Sequence, residues 1–378
     1  METLDNFETR LFDNAYYIIR NKLDGKCLKL GLTEFDFFCH LLDGNDASTF
    51  DRISVENKEI LRDKLNQTGF LNAGKTSKKY DLRDIKLFVF CKEGEAEWLF
   101  RFLKTFISPL GVILFFLSVI GSVWFLIYYR SLVLNSVAAV NISFTSFFCI
   151  IVFNRLGGLA HEFAHSASCY KYTGKTGSVG LKLFYLMPML YVNTNHMYLI
   201  QNKLNKAVVA ISGFMCSSIV SAVYAVLYVA FKSDIWLYCF ILSFAVNFFN
   251  LIPFTKYDGY WLLGAVLGID NLYDKSIVVF LCFIFRFPEF GKLKMSKIEK
   301  TLTSLYGFVC FIFNPVFWGY VVFGSYWYLG NYGIIPALIV PIVLITFLLI
   351  SNINFCLKYH SIFRSGEYKI VLSNLRHS

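Results

Sequence analysis

Charge is scarce in this chain of 378 residues. Asp, Glu, Lys and Arg together make up 16% of it, against 56% hydrophobic residues. So much apolar surface cannot be hidden inside a water-soluble globule, which excludes an ordinary soluble enzyme. The ten cysteines, at 27, 39, 91, 149, 169, 216, 239, 282, 310 and 356, form no C-x-x-C pair, and several lie in apolar runs. They fit small buried thiols in a reducing compartment better than a disulfide framework. The opening METLDNFETR is charged and polar, so no secretory signal is expected there. No internal repeat or low-complexity tract is evident. Acidic residues are outnumbered by basic ones, 26 to 36. The basic residues fall mainly between oily runs, which suits an anionic membrane surface and argues against a nucleic-acid partner.

What the chain does have is long uncharged stretches. A helix needs about 20 apolar residues to cross a bilayer core. Thr105 to Tyr129, Ser131 to Asn154, Ala207 to Phe231 and Ile235 to Thr255 each qualify, and Thr301 to Leu357 is long enough for two crossings broken near Gly324 to Gly333. The expectation is therefore an α-helical polytopic membrane protein with about six transmembrane helices. The second span has an alternative: one helix from about Asn141 to Tyr170, with Ser131 to Asn141 left as an outer loop or shallow helix. The apolar piece Ile277 to Ile284 is too short to cross. Six spans place every basic-rich segment on one side, including the N-terminal region, Lys171 to Lys206, Asp270 to Lys300 and the C-terminal tail. By the positive-inside rule that side is cytoplasmic and holds both termini, with a prokaryotic inner membrane as the simplest setting.

Two of the six histidines stand in the segment GLAHEFAH, Gly158 to His165. His161-Glu162-Phe163-Ala164-His165 has H-E-x-x-H spacing, so on a helix both imidazoles share a face and can ligate one metal ion. Imidazole pairs suit Zn²⁺, which in catalytic sites keeps three protein ligands and one water. Glu162, one residue off that face, is placed to act as a general base on the zinc-bound water. Charge at membrane depth is costly and usually functional, which weighs against a merely solvated helix face. Two candidates stand for the third ligand. One is His196, in NTNHMY. The other, favoured, is Asp258 in NFFNLIPFTKYDGYW, where Pro253 breaks the helix and Gly259 permits a tight turn. Against it stands a plain surface turn, with Lys256 as partner of Asp258.

H-E-x-x-H in one span and N-x-x-P-x-x-x-x-D-G in a later one, here Asn250, Pro253, Asp258 and Gly259, resemble the site-2 protease family of intramembrane zinc metalloproteases. The resemblance covers roughly residues 141 to 270. It implies one zinc ion held by His161, His165 and Asp258, a water activated by Glu162, and Asn250 helping to hold the substrate or the developing oxyanion. Thr255 and Tyr257 stand where the family often has Pro and Leu, a departure that bears on loop shape rather than ligands. No PDZ-like insertion is apparent.

The first 104 residues are of soluble type. Two strand-like runs flank Asp24-Gly25, a hairpin signal. A helix follows with Thr33 as expected N-cap and Gly44 as stop. A second runs from Ser54 to Gly69 with Ile60, Leu61 and Leu65 as its stripe. The strand-like KLFVF, Lys86 to Phe90, reads as a final wing. This gives a small α+β winged-helix-like domain over 1–92, a linker over 93–104, a membrane metalloprotease domain over 105–357 and a tail over 358–378. YYIIRNKLDGKCLKL, LLDG and KLNQTGFL resemble PqqD-like peptide-recognition domains. That resemblance implies a module that binds the leader of a ribosomally made peptide by adding a strand to its hairpin edge. The functional expectation is an intramembrane zinc endopeptidase acting on a membrane-associated or ribosomally made peptide, its substrate strand lying beside Val179 to Leu190. The alternative is a membrane peptide-binding or immunity protein whose metal site is structural or inactive. A transporter is disfavoured, because the spans offer no paired half-helices.

Overall fold

A computed structural model describes residues 4–12, 16–22, 27–71, 84–92, 94–95, 97–104, 107–138, 143–184, 187–269, 271–291, 293, 295–330, 334–364, 366 and 368. The chain divides into two compact units, Met1–Ala245 and Val246–Ser378.

The first unit opens with an antiparallel sheet of β1 (Phe7–Phe12), β2 (Tyr16–Asn21) and β3 (Cys27–Gly31), in that order. Side chains alternate across β2, so its two faces do different work. Tyr17 and Ile19 face Phe38 and Leu65 of helices α1 (Leu32–Leu42) and α2 (Val55–Thr68). Ile18 faces the other way and packs against Leu199. The turn Asp24-Gly25 lies outside the described residues. Helix α1 begins two residues earlier than Thr33 suggested. Gly31 is its N-cap, and the Glu34 carboxylate accepts the Gly31 N–H at 2.6 Å. Gly44 and Gly69 stop the two helices in left-handed conformation, at φ 82° and 83°.

β4 (Asp84–Cys91) is not the wing of that sheet. It pairs antiparallel with β5 (Val179–Phe184), which pairs in turn with β6 (Met187–Val192). The β-branched and aromatic run KLFVF identifies a strand, but a partner about 90 residues away leaves no local mark. The expected linker carries helix α3 (Glu97–Leu103), whose Phe100 is fully buried against Ala167, Tyr170, Val179 and Val192.

Helices α4 (Pro109–Tyr128), α5 (Arg130–Ala138), α6 (Phe144–Thr173), α7 (Lys203–Phe231) and α8 (Asp234–Asn250) follow. The run Ser131 to Asn154 is thus not one crossing. α5 is short, and the long helix starts where the Ser143 hydroxyl accepts the Ser146 N–H at 3.1 Å, close to the alternative reading. α6 and α7 pack along each other, and the Tyr224 hydroxyl of α7 donates to the Phe153 carbonyl of α6 at 2.7 Å.

The second unit holds α9 (Asp258–Leu267), α10 (Leu272–Ile284), α11 (Pro288–Gly291), α12 (Lys297–Gly330) and α13 (Ile334–Arg364). α10 is the apolar piece too short to cross. It buries Ile277, Val278, Val279 and Cys282 in the core of this unit. Gly307 of α12 lets the two helices meet, since a Cβ there would lie 2.1 Å from the Ser276 carbonyl oxygen. Among the described residues, five helices are long and apolar enough to cross a membrane: α4, α6, α7, α12 and α13. α8, apolar but 17 residues long, is shorter than these.

Candidate metal centre

α6 is 30 residues long, about 45 Å at 1.5 Å per residue, and His161 lies about 26 Å along it. The helical repeat brings His161 and His165 onto one face, with their Nε2 atoms 3.2 Å apart. Both are held from behind by α7. The His165 Nδ1 donates to the Val209 carbonyl at 2.8 Å, and the His161 Nδ1 lies 2.8 Å from the Ser217 hydroxyl. A carbonyl only accepts, so the proton of neutral His165 is on Nδ1 and its Nε2 presents a lone pair. That lone pair faces the Nε2 of His161. Two imidazole lone pairs cannot sit at this distance unaided, so a proton or a cation must lie between them. For a tetrahedral ion with Zn–N bonds of 2.0–2.1 Å, two nitrogens are separated by about 3.3 Å. The residues present therefore fit a zinc ion.

Gly213 makes this approach possible. A Cβ on it would lie 2.3 Å from the His165 Nε2 and 2.7 Å from the His161 Nε2. Sequence reasoning singled out neither Gly213 nor Ser217 nor the Val209 carbonyl. The only local sign is the density of small residues in SGFMCSS, Ser212 to Ser218. Glu162 is partly buried and makes no hydrogen bond or ion pair among the described residues.

His196, the alternative ligand, is 1% exposed in the 3₁₀ turn Asn195–Leu199. It lies close enough to Glu8 of β1 to act on its charge. Burial works against ionised Glu8, but Lys175, then Arg20 and His196, hold its carboxyl below the usual range. His196 thus belongs to the seam where the N-terminal sheet docks on that turn. In the same seam Arg10 donates to the Leu199 carbonyl at 2.9 Å and Lys175 pairs with Glu8.

Asn250 and Asp258 belong to the second unit. Asn250 ends α8, and Pro253 has no N–H with which to continue the ladder. The Tyr306 hydroxyl of α12 donates to the Pro253 carbonyl at 2.6 Å. Lys256 directs its ammonium to Asp274 at 2.8 Å rather than to Asp258. Asp258 is the first residue of α9 and is partly buried. Gly259 serves a purpose other than a left-handed turn. A Cβ there would lie 2.0 Å from the Leu251 carbonyl oxygen, so the segment closes on itself only if this residue is Gly.

No family model matches the chain, and no solved structure matches it. It is similar to a protein of Bacillus subtilis (strain 168) named "Putative peptide zinc metalloprotease protein YydH", with 29% identity over 176 residues, 46% of this chain and 69% of that protein.

Proposed function

We propose that the chain is a membrane-embedded zinc endopeptidase of the site-2 protease type. The observation that carries this reading is the pair of imidazole Nε2 atoms at 3.2 Å, each ring fixed through its Nδ1 by α7. The name of the Bacillus relative supports a peptidase with zinc. His161, His165 and Asp258 are the proposed ligands, Asp258 on the strength of its sequence motif. A bound zinc ion supplies a Lewis acid and lowers the pKa of water to about 7.

Glu162 takes the proton from the attacking water and passes it to the leaving amine. Asn250 donates a hydrogen bond to the oxygen that becomes negative as the scissile carbonyl is attacked. The substrate is proposed to be an apolar peptide segment that arrives extended, since a helix ties up its own carbonyls. With β4 seated on β5, the edges open to a substrate strand are those of β4 and β6, not of β5. The N-terminal module is proposed to hold the leader of that peptide, and the protein to lie in a bacterial plasma membrane with both termini cytoplasmic.

The test uses the full chain in detergent with zinc and candidate peptides, beginning with precursors encoded beside its gene. Glu162→Gln should slow cleavage by roughly 10²–10⁴-fold while metal content, measured by mass spectrometry, stays at that of the wild type. Cleavage unchanged by Glu162→Gln would refute the mechanism. Peptide binding and biological effect that survive loss of metal in a His161→Ala, His165→Ala variant would favour a binding or immunity protein instead.

A further inference from the structure

One carboxylate in the second unit has more partners than a surface turn requires. Asp274, in the first turn of α10, accepts from Lys256 at 2.8 Å, from Lys358 at 2.6 Å and from the Tyr359 hydroxyl at 2.9 Å. Its side chain is 25% exposed, and its helix is anchored just beyond it by Ile277 and Val278, both fully buried. Asp274 is thus a fixed point. Lys358 and Tyr359 come from α13 and tie two helices together. Lys256 is different, because it comes from the irregular segment between α8 and α9, two residues before Asp258. That segment has a second anchor at Pro253, held by Tyr306, and a third where Gly259 closes on Leu251. Between these anchors and α9, the Lys256–Asp274 pair fixes the last residues before the proposed ligand.

We propose that Asp274 is a positioning residue that acts through Lys256 to set the backbone from which Asp258 reaches the metal. This rests on the reading of Asp258 as a zinc ligand. A half-exposed ion pair contributes little to stability, so fold stability does not explain three groups gathered on one carboxylate as well as placement does. Metal ligands tolerate little misplacement, and outer partners that orient them typically change metal affinity by roughly 10–100-fold.

The test is the zinc affinity of the full chain in detergent, measured by competition with a chromogenic chelator, beside thermal unfolding of the metal-free protein. Lys256→Met and Asp274→Asn should each weaken zinc binding by roughly 10-fold or more. Lys256→Arg, which restores the cation, should keep it. Lys358→Met, which removes one of the two links to α13 and leaves the Lys256 pair in place, should keep zinc affinity at the wild-type level. Should Asp274→Asn fail to fold, Lys256→Met and Lys256→Arg carry the comparison. Zinc affinity of Lys256→Met equal to the wild type, while Asp258→Ala loses it, would overturn this inference alone. Zinc held as tightly by Asp258→Ala as by the wild type would overturn the ligand reading and this inference with it.

Discussion

At the scale of single residues, the histidine pair shows how much of a metal site a sequence carries. The i, i+4 spacing alone puts two imidazoles on one helix face, and His161 and His165 meet as that spacing requires. What holds them is a different matter. The Ser217 hydroxyl and the Val209 carbonyl lie 56 and 44 residues away from the rings they meet, and a backbone carbonyl leaves no trace in a residue pattern. Gly213 is equally silent, because its role is to have nothing where a Cβ would touch both rings. Gly213→Ala should therefore abolish tight zinc binding, read by chelator competition, with the helix content seen by circular dichroism unchanged. Ser217→Ala is gentler. It removes one support of His161 and should cost roughly 10-fold in zinc affinity, and Ser217→Thr, which keeps the hydroxyl, should restore most of it.

At the scale of elements, the apolar runs of α4 and α7 and the ends of α1 and α2 were legible because they are local, whereas the start of α1 is set by Gly31 and not by Thr33. The glycine stops at 44 and 69 and the apolar face of α2 needed only neighbouring residues. Sheet membership was not legible. The apolar run of β4 fits any pleated partner, and long-range packing assigned it to β5 rather than to the N-terminal hairpin. Nor did alternation reveal that β2 has two buried faces, one toward α1 and α2 and one toward Leu199. That second face makes the N-terminal module a docked part of the first unit, and Glu8 is central to the seam. Its folded-state pKa is depressed, by Lys175 first among the favourable causes. Its contribution is therefore present above the ordinary glutamate pKa of about 4.3 and is lost as pH falls through the lower folded value. Acidification across that window should raise amide hydrogen exchange at Leu199 and Ile200. In Glu8→Gln the exchange should already be high and should not change with pH. The free-energy difference should be small, about 1 kcal/mol or less, since one partner of the pair is half-exposed. Exchange in Glu8→Gln that still rises on acidification would assign the effect to another group.

At the scale of the whole chain, parity decides the topology. α4, α6, α7, α12 and α13 are long and apolar enough to cross, and five crossings alone would put the two ends of the chain on opposite faces. α8 is the deciding element. Its 17 residues make about 25 Å of helix, the lower bound for a hydrocarbon core of about 30 Å. It is followed by Pro253 and an irregular segment pinned by Tyr306, Asp274 and the Gly259 contact rather than by more helix. Backbone of that kind is tolerated at membrane depth only where protein or a water-filled cavity supplies its hydrogen bonds, and Tyr306 does so for Pro253. α8 plus this segment can therefore complete a crossing that the helix alone does not span. The charges agree with six. Asp270 to Lys300 carries six basic residues, Lys275, Arg286, Lys292, Lys294, Lys297 and Lys300, while the joint of α7 and α8 at Lys232 and Ser233 carries one. Cysteine accessibility should settle the parity. In a background with the native cysteines replaced, single cysteines at Glu2, Lys292 and Ser378 should be protected from a membrane-impermeant thiol reagent in intact cells. Single cysteines at Ser233 and Asn331 should react. Labelling of Ser378 together with protection of Glu2 would mean that α8 turns back within the bilayer, which would leave the segment holding Asp258 on the opposite side from the one proposed.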